Sequence, residues 1–193
     1  MMSHFRVLSR WLLAALAVAP CTACLSGSCD GDLEPNRFDA SDGSCHECPD
    51  DPFDALPVTL RLQCASRVVE PARLEDAGGL AVHLGADSDE ESAGVGAAAT
   101  YDFRLSRETP AAVVRVAYAD DVARNALEVR LDGEVLGVIE TNRTGGWKRF
   151  VVLTVNVGSP VFLAAGAHRL ELRLVTGGSY GVMIGGVQIA NAD

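Results

Sequence analysis

Asp132-Gly133, set between two runs of alternating residues, constrains this chain more than any other feature. Leu127, Val129 and Leu131 alternate with Glu128 and Arg130 before the pair, and Glu134 to Ile139 returns after it. Both turn residues tolerate positive φ, so the pair predicts a β-hairpin. The same period of two recurs along the chain. It is carried by Val58, Leu60, Leu62 and Cys64, by Leu80, Val82 and Leu84, and by Tyr101, Phe103 and Leu105. Val114, Val116 and Tyr118 continue it, as do Val151, Leu153, Val155 and Val157. After Gly166, His168, Leu170, Leu172 and Leu174 take one face and Arg169, Glu171 and Arg173 the other. Gly, Asp and Pro separate these runs, and no segment beyond residue 24 carries a 3.6-residue period over the usual helix length of about ten to twelve residues. Asp121 to Asn125 has room for one short turn. The pattern predicts an all-β chain, an antiparallel β-sandwich with one buried face per sheet.

Four local runs add a resemblance to that pattern. They are Leu131-Asp132-Gly133, Leu136-Gly137-Val138-Ile139, Thr144-Gly145-Gly146-Trp147 and Leu163-Ala164-Ala165-Gly166-Ala167-His168-Arg169-Leu170. In this order and spacing the chain resembles carbohydrate-binding modules of the family-6 and family-35 types, specifically over residues 127–174 and more broadly over 66–191. The resemblance implies a jelly-roll sandwich of the galactose-binding-like kind, a fold that hosts many activities. It implies that Trp147 stacks on a sugar ring; a site built on it also needs a polar neighbour, for which Asn142, Arg143 and Tyr180 are the candidates. It also shows departures. Where such modules carry a second aromatic, near Gly94-Val95-Gly96, Ala97 to Ala99 follow, and Tyr101 is the next aromatic. Where they carry a ligand-binding Asn in the last loop, Met183 stands, and Tyr180 is the candidate replacement. The competing reading makes Trp147 a plug that closes the end of the sandwich.

The resemblance further implies a structural calcium held between an early Glu, matched by Glu70, and a late Asp. That Asp would fall near Gly185, in the run Val182 to Ile189, which holds no Asp. The acidic run Asp87 to Glu91 offers carboxylates elsewhere, although such a run also reads as a solvated loop. Calcium requires several oxygen ligands.

The N-terminal third has a different character. Arg6 and Arg10 precede the apolar run Trp11 to Ala19, which is too short to span a bilayer and reads as an export signal. It ends in Cys21-Thr22-Ala23-Cys24. That ending resembles the lipobox of bacterial lipoproteins, which implies lipidation of Cys24. Residues 1–24 are therefore assigned to a lipoprotein signal peptide, 25–57 to a linker and 58–193 to the sandwich. The expected location is the bacterial outer membrane or cell surface, through a lipid anchor, with plain secretion as the alternative. The linker is acidic: residues 30–54 hold nine acidic side chains and one base, Arg37. Too few large apolar residues are present there for the segment to fold alone. Cys29, Cys45, Cys48 and Cys64 suggest two disulfides in an exported protein, with three pairings open. A zinc site on Cys45-x2-Cys48 is the rival reading.

Charge and motifs exclude some functions. The formal net charge is −10, and no basic stripe of the kind that binds nucleic acid is present. His83 and His168 fall within strand patterns. No nucleophile elbow, His-Glu-x-x-His or phosphate loop appears. The expectation is a non-catalytic protein that binds a polysaccharide or glycan. The alternative is a structural or protein-interaction sandwich of the envelope that has lost sugar binding.

Overall fold

The computed structural model describes residues 52–191, apart from residues 61, 77–79, 91, 123 and 178. The signal segment, the lipidation of Cys24 and any pairing among Cys29, Cys45 and Cys48 lie outside the described residues. Among the described residues, eleven strands run from β1 (Val58–Leu60), β2 (Arg67–Val69), β3 (Arg73–Asp76) and β4 (Leu80–Leu84) to β5 (Ala98–Leu105) and β6 (Thr109–Ala119). They continue as β7 (Ala126–Leu131), β8 (Glu134–Glu140), β9 (Val151–Leu163), β10 (Gly166–Thr176) and β11 (Val182–Ala190).

Two antiparallel sheets face each other. The front sheet has six strands in the order β3-β4-β11-β6-β9, with β1 also paired to β11. The back sheet has the order β2-β5-β10-β7-β8. Side chains that alternate along each strand point alternately into and out of this sandwich. On the back sheet the inward residues are Tyr101, Phe103, Leu105, Leu127, Val129, Leu131, Leu170, Leu172 and Leu174, all buried. The outward residues pair charges across strands, with Arg169 opposite Asp102 and Arg173 opposite Glu128. The expected split of β10 into an apolar and a charged face is therefore observed.

The hairpin forms where Asp132-Gly133 predicts it, with φ of 52° and 87° at the two turn residues. β10 ties it down. The Asp132 amide donates to the Arg169 carbonyl at 2.8 Å, and Asp132 Oδ1 accepts the Arg169 amide at 2.8 Å. His168 Nδ1 lies 2.7 Å from Asp132 Oδ2, and its Nε2 lies 2.8 Å from the Ala164 carbonyl. Its ring also packs on Phe103, with centroids 5.4 Å apart. His168 thus belongs to the framework, as its place in the strand pattern predicted.

Two local expectations change. The run Val58 to Cys64 is not one strand: β1 ends at Leu60, and Leu62–Cys64 form a 3-10 turn. Leu62 is still buried, so continuing apolar alternation did not require a continuing strand. Phe53 and Asp54, read as linker, are bound to the far end of β5. The Phe53 amide donates to the Arg104 carbonyl at 2.8 Å, and Ser106 Oγ donates to Asp54 Oδ1 at 2.7 Å.

The two sheets differ on their outer faces. β11 is buried along nearly its whole length, on both faces. Its inner side supplies Val182, Ile184 and Val187 to the main core. Its outer side carries Met183, which joins Ala81, Ala119 and Phe150 in a second apolar cluster, with Trp147 packed against it. The segment after β8 therefore folds over the outer face of the front sheet and covers it.

Candidate functional site

That covering segment, residues 141–150, is anchored by one buried carboxylate. Asp120 is fully buried at the end of β6. Its Oδ2 accepts hydrogen bonds from Thr141 Oγ1 and, at 2.8 Å, from Asn125 Nδ2, and its Oδ1 accepts the Val122 amide at 2.9 Å. Its carbonyl accepts the Thr144 amide at 2.7 Å. A buried carboxylate without such donors would be costly, so the network fixes one path for the loop. Asn125 Nδ2 extends the network to the Gly181 carbonyl at 2.8 Å, which ties the loop to the start of β11. Neither Asp120 nor Asn125 stands out in the sequence, because Asp120 finds partners 21 and 24 residues away and Asn125 one 56 residues away.

Trp147 lies on this loop, half-buried against the cluster of Ala81, Ala119, Phe150 and Met183. Beneath it sits His83 of β4, only 3% exposed, with its ring edge-on to the indole at a centroid distance of 6.1 Å. The other His83 nitrogen, Nε2, donates to the carbonyl of Tyr180. The loop carrying Trp147 and the loop carrying Tyr180 thus meet around His83. The Tyr180 side chain turns to Asp89, to which its hydroxyl donates. That hydrogen bond, with the Asp89 charge, holds the phenol above the usual tyrosine range. Tyr180 is 39% exposed.

Asn142 and Arg143 are both exposed on the Trp147 loop. The Asn142 backbone amide donates to Tyr118 Oη at 3.1 Å, and Arg143 Nε lies 3.5 Å from Asp121 Oδ1. The structure therefore places Trp147, Asn142 and Arg143 on one loop, with Tyr180 reaching the same area through its backbone.

The departures noted in the sequence have physical counterparts. Ala97 to Ala99 and Tyr101 are all buried, so they offer no second platform. Met183 is buried in the outer cluster. A Cβ at Gly185 would stand 2.5 Å from two ring carbons of Phe150, so the Phe150 ring occupies the space an aspartate there would need. Glu70 is exposed in the turn after β2. The cluster able to hold a cation lies elsewhere, at Glu75, His83 and Asp87, whose donor atoms are all within 4.8 Å of one another. The sequence reading placed His83 in a strand and Asp87 in an acidic loop but did not connect them. Pairing of β3 with β4 makes the connection, setting Arg73 opposite His83 and Glu75 opposite Ala81.

A polar hollow of about 220 Å³ lies on the outer face of the back sheet, lined by residues that include Asp102, Arg169 and Glu171. Two of its charges pair across it. Arg169 binds both Asp102 oxygens, at 2.7 and 3.2 Å, and this hydrogen-bonding holds the Asp102 carboxyl below the usual range.

Comparison with known proteins places this geometry. The sequence profile of the carbohydrate binding module (family 6) matches residues 88–191, more than half of the chain. No curated protein matches at a significant level. Among solved structures, a module from Cellvibrio mixtus lichenase 5A in complex with cellotriose matches with a TM-score of 0.52 and 19% identity, covering 70% of this chain and 98% of that one. A family 35 module from Clostridium thermocellum matches with a TM-score of 0.55 and 16% identity, covering 72% and 100%. A β-1,3-glucan-binding module of family 6 from Bacillus halodurans matches with a TM-score of 0.51 and 19% identity, covering 74% and 100%. At these identities the structures share the fold, the two-sheet antiparallel sandwich described above. The family match carries the classification: this chain belongs to family 6 of the carbohydrate-binding modules and is a non-catalytic carbohydrate-binding module.

Proposed function

We propose that the protein is an exported, lipid-anchored glycan-binding protein whose platform is the exposed side of Trp147. The observation that carries this reading is the setting of that ring. Trp147 lies half-buried on a loop held by the Asp120 network, which fixes the indole while leaving part of it to solvent. The apolar face of a pyranose packs on an indole, and exposed Asn142 and Arg143 on the same loop supply polar partners for hydroxyls. Binding sites of this kind combine apolar surface with a few convergent polar groups. A gluco-oligosaccharide is the ligand class to test first, because one of the similar structures is in complex with cellotriose and another is named as β-1,3-glucan binding. A glycan array probed with the full chain tests this. Retention of glucans by wild type and its loss in Trp147→Ala are expected; no glycan retained by wild type would reject it.

The second reading is a structural or protein-interaction sandwich that has lost sugar binding. Buried Met183 and the engagement of the Tyr180 hydroxyl by Asp89 favour it, since both withdraw groups from a ligand.

Anchoring through Cys24 is part of the proposal and rests on the run Cys21-Thr22-Ala23-Cys24. Palmitate labelling of wild type but not of Cys24→Ser is the expected result, and equal labelling would remove the anchor. Two disulfides among Cys29, Cys45, Cys48 and Cys64 complete the proposal. Cys64 is disulfide-bonded and sits in the 3-10 turn whose Leu62 packs into the core, which supports a staple between linker and sandwich. Intact mass after alkylation, with and without reduction, should show four thiols only on reduction.

A further inference from the structure

His83 presents a chemical problem that its neighbours do not solve. Its Nε2 donates to the Tyr180 carbonyl, so in the neutral ring Nδ1 carries a lone pair. Nδ1 is buried and has no hydrogen-bond partner among the described residues. It points towards the Glu75 carboxylate, with Oε1 3.5 Å away, a contact that becomes an ion pair only if the ring is fully protonated. Two electron-pair donors thus face each other, one of them buried. Asp87 completes the group from the loop after β4, its side chain mostly exposed.

From this geometry we infer that Glu75, His83 and Asp87 form a binding site for one divalent transition-metal ion of the zinc class. The donor set is one imidazole nitrogen and two carboxylates, which suits zinc, copper or nickel better than calcium, an ion that takes six to eight oxygens. The spacing agrees. A tetrahedral zinc ion holds its ligands at about 2.1 Å, which sets them roughly 3.4 Å apart, close to the His83–Glu75 separation. Three protein ligands leave the fourth position to water on the solvent side, where Asp87 lies. The backbone hydrogen bond at Nε2 orients the ring, as commonly found behind metal-bound imidazoles.

Arg73 is the competitor. Its Nη2 contacts Glu75 Oε1 and lies 2.7 Å from Asp87 Oδ1, so a guanidinium now bridges the two carboxylates. The arginine side chain is 35% exposed and can swing into solvent when an ion takes its place. The inference does not depend on glycan binding.

The test is titration of the full chain with Zn²⁺ by calorimetry, with the cysteines oxidised so that thiols do not compete. One ion per chain is expected. Glu75→Gln and Asp87→Asn, which preserve shape, each remove a carboxylate ligand and should weaken binding by at least the roughly tenfold that loss of an outer-shell partner alone costs. Arg73→Ala should tighten it, because it removes the resident cation. A second readout uses Cu²⁺ in a Trp11→Phe background. Copper at His83 lies beside Trp147 and should quench its fluorescence in wild type but not in His83→Gln. Failure of wild type to bind an ion, or equal affinity in wild type, Glu75→Gln and Asp87→Asn, would overturn the assignment. The second result would place the ion elsewhere in the chain.

Discussion

At the scale of single residues, the buried polar groups separate into satisfied and unsatisfied. Asp120 and His168 are satisfied, and both hold loops in place. Tyr101 is not: it is 1% exposed in β5, and its hydroxyl has no hydrogen-bond partner among the described residues. Burial pushes its phenol up, since the phenolate would have to exist in an apolar core. An unpaired buried hydroxyl costs about 1–3 kcal/mol, so Tyr101→Phe should raise stability by roughly 1 kcal/mol while keeping the ring's packing. Urea denaturation read against wild type measures it. Because the ring faces the core, the same variant should bind glycan as wild type does. A loss of stability would show that the hydroxyl has a partner in solution.

At the scale of elements, two glycines with positive φ separate what was legible from what was not. Gly133 in the β7–β8 turn has φ of 87°, and a Cβ there would meet nothing within 4 Å. Its role was readable because everything that defines it lies within a few residues. Gly133→Ala should cost only the backbone strain of an L residue at positive φ, about 1–2 kcal/mol. Gly181 before β11 has φ of 71°, but a Cβ there would lie 2.1 Å from the Leu84 carbonyl oxygen and 2.5 Å from Gly85 Cα. The end of β4 and the start of β11 touch backbone to backbone. Gly181→Ala must move a strand, and a loss above about 4 kcal/mol is expected, large enough to be diagnostic of such a clash. Melting temperatures of the two variants, measured together, should differ clearly. Equal losses would mean that the crossing is looser than described. No local pattern announces Gly181, because its neighbours lie almost a hundred residues earlier in the chain. The same reason hid the Glu75, His83 and Asp87 group, whose members were each visible but whose pairing depends on the register of β3 against β4.

At the scale of the whole molecule, alternation revealed that there are two sheets with two kinds of face, but not which outer face is covered. The back sheet keeps the charged ladder that β10 spelled out, with Arg169 on Asp102 and Arg173 on Glu171. The front sheet instead buries Ala81, Ala119 and Met183 under the Trp147 loop. The run Val182-Met183-Ile184-Gly185-Gly186-Val187 is apolar on both faces, which is the only local sign of that cover. This arrangement decides between the two readings of Trp147 in an intermediate way. Its ring is part of the outer cluster, so Trp147→Ala must cost stability. It is also only partly buried and separate from the main core, so the cost should be below the 3–5 kcal/mol of a fully buried aromatic, about 1–2 kcal/mol. The sandwich should remain folded, with its core strands intact by circular dichroism, while glucan retention is lost. A plug would behave differently, with a melting temperature falling far enough to compromise the fold and no glucan retained by the wild type. Phe150→Ala supplies the internal standard. Phe150 is 4% exposed and lies against Gly185, so its loss should cost more than that of Trp147, despite the smaller ring. If Trp147→Ala proves the more destabilising of the two, the indole is a structural element and the platform must be sought elsewhere on the module.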